Sequence, residues 1–402
     1  MGGEAETRGA GKSGSGACSA AEAAQKSQQQ QQKAQLRILL SSPSSSSGAE
    51  AEFPELLARR RTARQTAASD SITVSVGVFW AHSHEDLPDC NGRFVLSEVL
   101  GEGKNGSVYA VTDTSSGRDD WVAKVSSRGS ISSTLTEAFA LTWLSSLGFP
   151  ETLGLFKDPE NGQRLLLIMR RYSQDLDSLR SDPDVCLEKA RMRPDLVVDV
   201  AHQVLQQLEK MHGRGLAHAD LKPKNFMVSK LKDSFEVQVV DFGLCRPFCM
   251  GAVAATPREG ARALGTTRFC SVPAHRGERS PRSDLESLAY VLIYLAVGSL
   301  PWQGLGASTA PSSGKSAKRE HTARILENKR DLKALILFTE QGLEEQPQLA
   351  GACLNLLKYS RGLRQTDLPD YRAVETMFAK DNEAKPHEKR HRVSLGRRPQ
   401  ND

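Results

Sequence analysis

The chain has 402 residues, 39% hydrophobic and 25% charged, with a formal net charge of +5. That is enough chain for two or three domain-sized units with a sizeable core, and it excludes collagen, coiled-coil and mini-protein classes. The positive excess is too dilute to argue a nucleic-acid partner, and the seven cysteines are scattered with no Cys-x-x-Cys pair, against a disulfide framework or zinc site. In chain order, residues 1–70 are low in apolar side chains, with a glutamine run at 28–32 and a serine block at 41–47, and read as a disordered tail. Arg59, Arg60, Arg61 and Arg64 form a weak basic cluster within it. Residues 71–91 read as a linker holding one strand, because Ile72, Val74, Val76, Val78 and Trp80 alternate with other residues. Residues 92–380 are globular in composition, and 381–402 form a basic tail.

Within the globular part, Phe94–Leu100, Ser107–Thr112 and Trp121–Ser126 read as strands, with a turn at 115–117. A helical stretch follows over Leu135–Leu144. Further on, Leu196, Val200, Val204, Leu205 and Leu208, then Leu285, Leu288, Leu292 and Leu295, recur at three and four residues and predict helices. Strands followed by helices predict an α+β fold with a small sheet-rich lobe and a larger helical one. The most apolar run, Leu288–Val297, is about half the length of a membrane span and reads as a buried helix. Glu6 stands where a myristoylation motif beginning at Gly2 needs Ser or Thr, and no secretory signal opens the chain. The expectation is a soluble, monomeric intracellular protein, cytoplasmic and/or nuclear, without a membrane partner.

Four short motifs carry chemistry. Gly101, Gly103 and Gly106 form a Gly-x-Gly-x-x-Gly loop followed by β-formers from Ser107 to Val111. A dinucleotide loop would lead into a helix. Between two strands, the glycines instead let backbone N–H groups approach phosphates, although an ordinary glycine-rich hairpin has the same composition. Lys124, in the third strand, supplies a fixed cation, and Glu137 is its candidate partner. His218-Ala219-Asp220-Leu221-Lys222-Pro223-Lys224-Asn225 supplies a carboxylate for a substrate hydroxyl, a cation and an amide oxygen for a metal. Asp241-Phe242-Gly243 supplies a second metal-binding carboxylate.

In this order on these elements, the motifs resemble protein kinases, and the following stretch resembles the casein kinase 1 family. Gly265–His275 stands where most kinases carry Ala-Pro-Glu, and Asp284-Leu285-Glu286-Ser287-Leu288, Pro301-Trp302-Gln303-Gly304 and Leu368-Pro369-Asp370-Tyr371 are similar to that family's later segments. The sister vaccinia-related kinases are a second choice, since Ala219 replaces the arginine of the His-Arg-Asp motif. The resemblance implies a bilobal kinase fold and a serine/threonine protein kinase using ATP and Mg²⁺. Asp220 would be the catalytic base, Lys222 the cation at the transferred phosphoryl group, and Asn225 and Asp241 the metal ligands. Gly101, Gly103, Gly106 and Lys124 would hold the phosphates. Val108, Ala123 and Met227 would enclose the adenine, with Met169 as gatekeeper and residues 170–172 as the hinge. Asp284 would anchor the catalytic loop, and His275 would pack rather than catalyse. Arg268, with Lys315, Lys318 or Arg319, would attract acidic or already phosphorylated protein substrates. Without an arginine at 219, activation by loop phosphorylation is not expected. The alternative is a kinase-fold scaffold of little or no activity.

Overall fold

The computed structural model describes Leu87, Cys90 and residues 92–103, 105–159, 161–230, 235–248, 264–304 and 315–379. The N-terminal tail, the strand expected at 72–80, the serine- and alanine-rich insertion at 306–314 and the basic tail 381–402 lie outside the described residues.

The first lobe is a five-stranded antiparallel sheet of β1 (Phe94–Gly103), β2 (Gly106–Asp113), β3 (Arg118–Ser126), β4 (Thr152–Lys157) and β5 (Leu165–Arg170), in the order β1-β2-β3-β5-β4. Alternation makes one face apolar. Phe94, Val111, Trp121, Ala123, Val125, Leu166 and Ile168 bury one another there. The hairpin between β2 and β3 turns at Asp113, whose carboxylate takes two 2.8 Å bonds from Arg93 and further bonds from Ser115 and Ser116. The Arg93 fork and these hydroxyls hold the Asp113 carboxyl well below the usual carboxylate range.

Helix α1 (Ile131–Leu144) packs beside this sheet. It begins four residues before the stretch read from the sequence, because Ser132, Ser133 and Thr134 make its first turn mostly polar, with Thr134 N donating to the Ser130 carbonyl at 2.9 Å. The Ser130 hydroxyl donates to the Asn105 carbonyl at 2.5 Å, tying the helix start to the end of the glycine loop.

The second lobe follows β6 (Gln174–Asp175), β7 (Cys186–Leu187) and β8 (Arg191–Met192) with helix α2 (Pro194–Gly213). Then come β9 (Leu216–Ala217), β10 (Phe226–Lys230), β11 (Phe235–Val239) and β12 (Arg246–Pro247). Helices α3 (Pro281–Val297), α4 (Lys315–Arg330), α5 (Leu332–Gly342), α6 (Pro347–Gly362) and α7 (Tyr371–Thr376) complete it. Every residue of α3 from Asp284 to Ala296 is buried, so this helix is covered on all sides and forms the lobe's centre. The α+β, two-lobed architecture is the one expected. No helix among the described residues is long and apolar enough to cross a membrane.

Candidate active site

Four separate stretches meet between the lobes. From the sheet, β3 presents Lys124, whose Nζ lies 2.5 Å from Glu137 Oε2 on α1 and 2.8 Å from Asp241 Oδ1. Burial pulls the Lys124 ammonium down, but the Glu137 and Asp241 carboxylates outweigh it and hold the group above the ordinary lysine value. Asp241 is pushed up by burial, and Lys124, with Lys222 and His218, more than reverses that, so it stays ionised at neutral pH. Glu137 is wholly enclosed, and burial raises its carboxyl against the pull of Lys124.

Asp241 has φ 63°, a left-handed conformation uncommon for a residue with a side chain. Its neighbours hold it there. Phe242 is fully buried, 5.7 Å from the Phe149 ring and 5.3 Å from the His218 ring. Gly243 packs against α1, where a side chain would displace the Ser133 hydroxyl.

From the helical lobe, the loop after β9 presents Asp220, Lys222 and Asn225. Lys222 Nζ sits 2.6 Å from Asp220 Oδ2. Thr266 donates to Asp220 Oδ1 twice, from its backbone N at 2.7 Å and its hydroxyl at 2.9 Å. Asn225 donates Nδ2 to the Asp220 carbonyl at 2.8 Å, which leaves its amide oxygen as an acceptor. The loop is anchored from below by Asp284, which accepts from His218 N at 2.7 Å, Ala219 N at 2.9 Å and His212 Nε2 at 3.0 Å. This network assigns the His212 proton to Nε2, with Nδ1 accepting from the Tyr371 hydroxyl. The Asp284 bonds bracket Ala219, which has φ 66°. Gly265 is equally determined. Its φ is +76°, and a Cβ would lie 2.6 Å from the Ala219 carbonyl and 2.9 Å from Asp220 Oδ1.

A carboxylate at 241 and an amide oxygen at 225 are hard oxygen donors and fit Mg²⁺, which usually takes one or two protein groups and completes its shell from water and phosphate. No cluster of three or more His, Cys, Asp or Glu residues that could hold a metal alone occurs among the described residues. The glycine loop fits the phosphates in a similar way. β1 and β2 pair through the glycines, Gly101 with Val108 and Gly103 with Gly106. At Gly106, φ is +133° and a side chain would strike the Val125 carbonyl, so packing explains that glycine. A Cβ at Gly101 would meet nothing within 4 Å, and one at Gly103 only the Gly106 carbonyl at 3.9 Å. Internal packing does not demand these two, whereas close approach of a ligand to the backbone would.

Not every sequence expectation survives. Ala123 does not line the cleft. Successive residues of a strand face opposite ways, so it lies on the other side of β3 from Lys124, fully buried with Trp121, Val125 and Ile168. The β3 residue sharing the Lys124 face is Val122, paired with Ala110 and Met169. Val108, directly opposite Lys124, and Met169 are on the cleft face. Met227 on β10 is half-buried. The two arginines expected at the hinge make ion pairs: Arg170 Nη1 lies 2.5 Å from Asp120, which Arg118 also grips at 2.7 Å, and Arg171 Nη2 lies 3.2 Å from Glu98.

Arg268 is exposed, and among the described residues its guanidinium has no hydrogen-bond or ion-pair partner. It lies close enough to Arg180 to oppose that residue's charge. Lys318 and Arg319 are exposed on α4, Lys315 is its first residue, and no described contact joins Lys318 or Arg319 to Arg268. Thr266 and Arg180 were not singled out from the sequence. A threonine after a glycine and a lone arginine carry no local signal.

His275 is buried, and burial, with Lys329 and Arg330 nearby, lowers its pKa to about 3, so it is neutral at pH 7. Its neighbour Lys329, also fully buried, donates Nζ to the carbonyls of Thr267 at 2.7 Å and Cys270 at 2.6 Å.

The arrangement can grip a triphosphate between a flap and a fixed ammonium, bind a hard cation through two oxygens, and hold a carboxylate beside an incoming hydroxyl. A family model described as "Protein kinase domain" matches residues 94–362. Membership implies phosphotransfer to protein substrates with ATP and typically Mg²⁺, and over that span, two-thirds of its length, this chain belongs to the protein kinase family.

Proposed function

We propose that the chain is an active serine/threonine protein kinase of the casein kinase 1 type, favouring acidic or already phosphorylated substrates. One observation carries the reading: Lys124, Glu137 and Asp241 form a continuous charged cluster, while Asp220, Lys222 and Asn225 stand together on the adjoining loop. A catalytically silent kinase fold would be free to lose any of these.

In this reading Asp220 orients the substrate hydroxyl and takes its proton, while Lys222 faces the transferred phosphoryl group. Bonded twice by Thr266, Asp220 has little freedom to rotate. Lys124 holds nucleotide phosphates and is itself aimed by Glu137. Asn225 and Asp241 would hold Mg²⁺, which neutralises charge on the phosphates when bound. Gly101, Gly103 and Gly106 admit the phosphates, and Val108, Val122, Met169 and Met227 bound the base. Positioning and charge neutralisation do most of the work in such transfers. Arg268 serves as the substrate anion site, its guanidinium exposed and without an ion-pair partner among the described residues. The enzyme works as a monomer in the cytoplasm and/or nucleus.

Transfer from radiolabelled ATP to casein tests the activity, with Asp220→Asn as the comparison. Loss of at least a hundred-fold is expected, and equal incorporation by both proteins would favour the scaffold alternative. Arg268→Ala should reduce transfer to a phosphorylated or acidic peptide more than to a neutral one. Equal losses on both would remove the anion-site assignment.

A further inference from the structure

A second cationic site lies in the helical lobe, lined by none of the groups assigned to phosphotransfer. A cavity of about 220 Å³ is bounded by Arg276, Arg282, Arg330 and Arg361, together with Glu286 and Ser360. Two of the arginines are fixed. Arg361 Nε lies 3.2 Å from Glu286 Oε1, and its Nη2 donates to the Tyr290 hydroxyl at 2.8 Å and the Lys329 carbonyl at 2.6 Å. Arg282 is held in a fork by Glu278 at 2.7 and 2.6 Å and donates to the Leu363 carbonyl at 2.8 Å. The other two are free to respond to a ligand. Arg276 and Arg330 are exposed, and neither makes a hydrogen bond or ion pair with another described residue.

Four guanidinium groups against the carboxylates of Glu278 and Glu286 leave two positive charges unbalanced around one cavity. Glu286 Oε1 is already committed to Val272 N, the Tyr290 hydroxyl and Arg361, so it offers little to a cationic ligand. Cations gathered this closely repel unless an anion lies among them. A planar guanidinium fork matches a phosphoryl group in geometry, and a dianion matches the excess in charge, where a single carboxylate would neutralise half of it.

We propose that this cavity binds a phosphoryl dianion, carried by a phosphorylated side chain of a protein segment or by free phosphate, at a site separate from Arg268. Val272 and Pro273 form part of its wall and lie on the same stretch of chain as Thr266 and Arg268. A bound phosphoryl group would therefore brace the segment that holds Asp220.

Fluorescence anisotropy of a phosphoserine peptide and its unphosphorylated twin tests this, reading binding rather than transfer. In the Arg268→Gln background, which removes the other proposed anion site, the full chain is compared with derivatives that add Arg276→Gln/Arg330→Gln or Arg324→Gln, an exposed arginine elsewhere on α4. The Arg268→Gln protein and its Arg324→Gln derivative should bind the phosphopeptide at least ten-fold more tightly than its twin. Adding Arg276→Gln/Arg330→Gln should abolish that ratio at an unchanged melting temperature. Competition by inorganic phosphate in the Arg268→Gln protein distinguishes the sources: equal affinity points to free phosphate, and a peptide ten-fold tighter points to a phosphorylated segment. The proposal is overturned if the variant lacking all three arginines keeps the ratio or if the Arg268→Gln protein shows none.

Discussion

Replacing Lys329 by Met tests how the helical lobe holds the segment between Gly265 and His275. The lysine is fully buried, with its Nζ on two backbone carbonyls and over the rings of Tyr290 at 5.2 Å and Trp302 at 5.1 Å. Methionine keeps most of the stem's volume and removes the donor. Two carbonyls each lose a charge-assisted bond, about 1.5–3 kcal/mol apiece. Against this, burial lowers the lysine pKa from 10.5 to about 8, so removing the buried charge returns about 3 kcal/mol. The net loss of stability at pH 7 is therefore small, up to about 3 kcal/mol.

The pH dependence is more telling. Between about 8 and 10.5 the unfolded lysine holds its proton and the folded one has released it, so the unfolded state binds more protons and stability rises with pH. Wild type should gain about 1.4 kcal/mol per pH unit over that window relative to Lys329→Met, measured by urea unfolding at a series of pH values. Activity should fall further than stability, because the same segment carries Thr266, which restrains Asp220. A kcat at least ten-fold lower, about 1.4 kcal/mol of barrier, is expected with nucleotide KM within two-fold. Parallel stability curves for the two proteins, or a variant with wild-type kcat, would refute the argument.

Gly265→Ala forces a side chain into a left-handed position against the Ala219 carbonyl and Asp220, and should lower kcat at least ten-fold by displacing Asp220. Nucleotide affinity, measured separately by calorimetry, should hold. Ala123→Val overfills the core of the sheet lobe and should cost about 1–3 kcal/mol in urea unfolding while leaving nucleotide affinity intact. Val122→Phe should do the reverse, weakening nucleotide binding ten-fold or more at near-normal stability. If Ala123→Val were instead the variant that weakened nucleotide binding, the assignment of strand faces would be wrong.

Much of the site was legible in the sequence because its chemistry comes in short local runs. The glycine loop, the stretch from His218 to Asn225 and the Asp-Phe-Gly turn each need fixed residue types at fixed spacing. The apolar period of α2 and α3 located the helical lobe for a similar reason. Ala123 was misassigned although the signal was present, since counting by two from Lys124 along a strand leads to Val122.

What the chain order alone determined was which groups exist and on which kind of element each is carried. Only the folded structure decided their partners. Thr266 on Asp220, Lys329 beneath Thr267 and Cys270, and Arg361 on Glu286 each join residues 46 to 75 positions apart in the chain. No periodicity spans such separations, because these contacts form only once the helices have buried their apolar faces and brought the loops between them together.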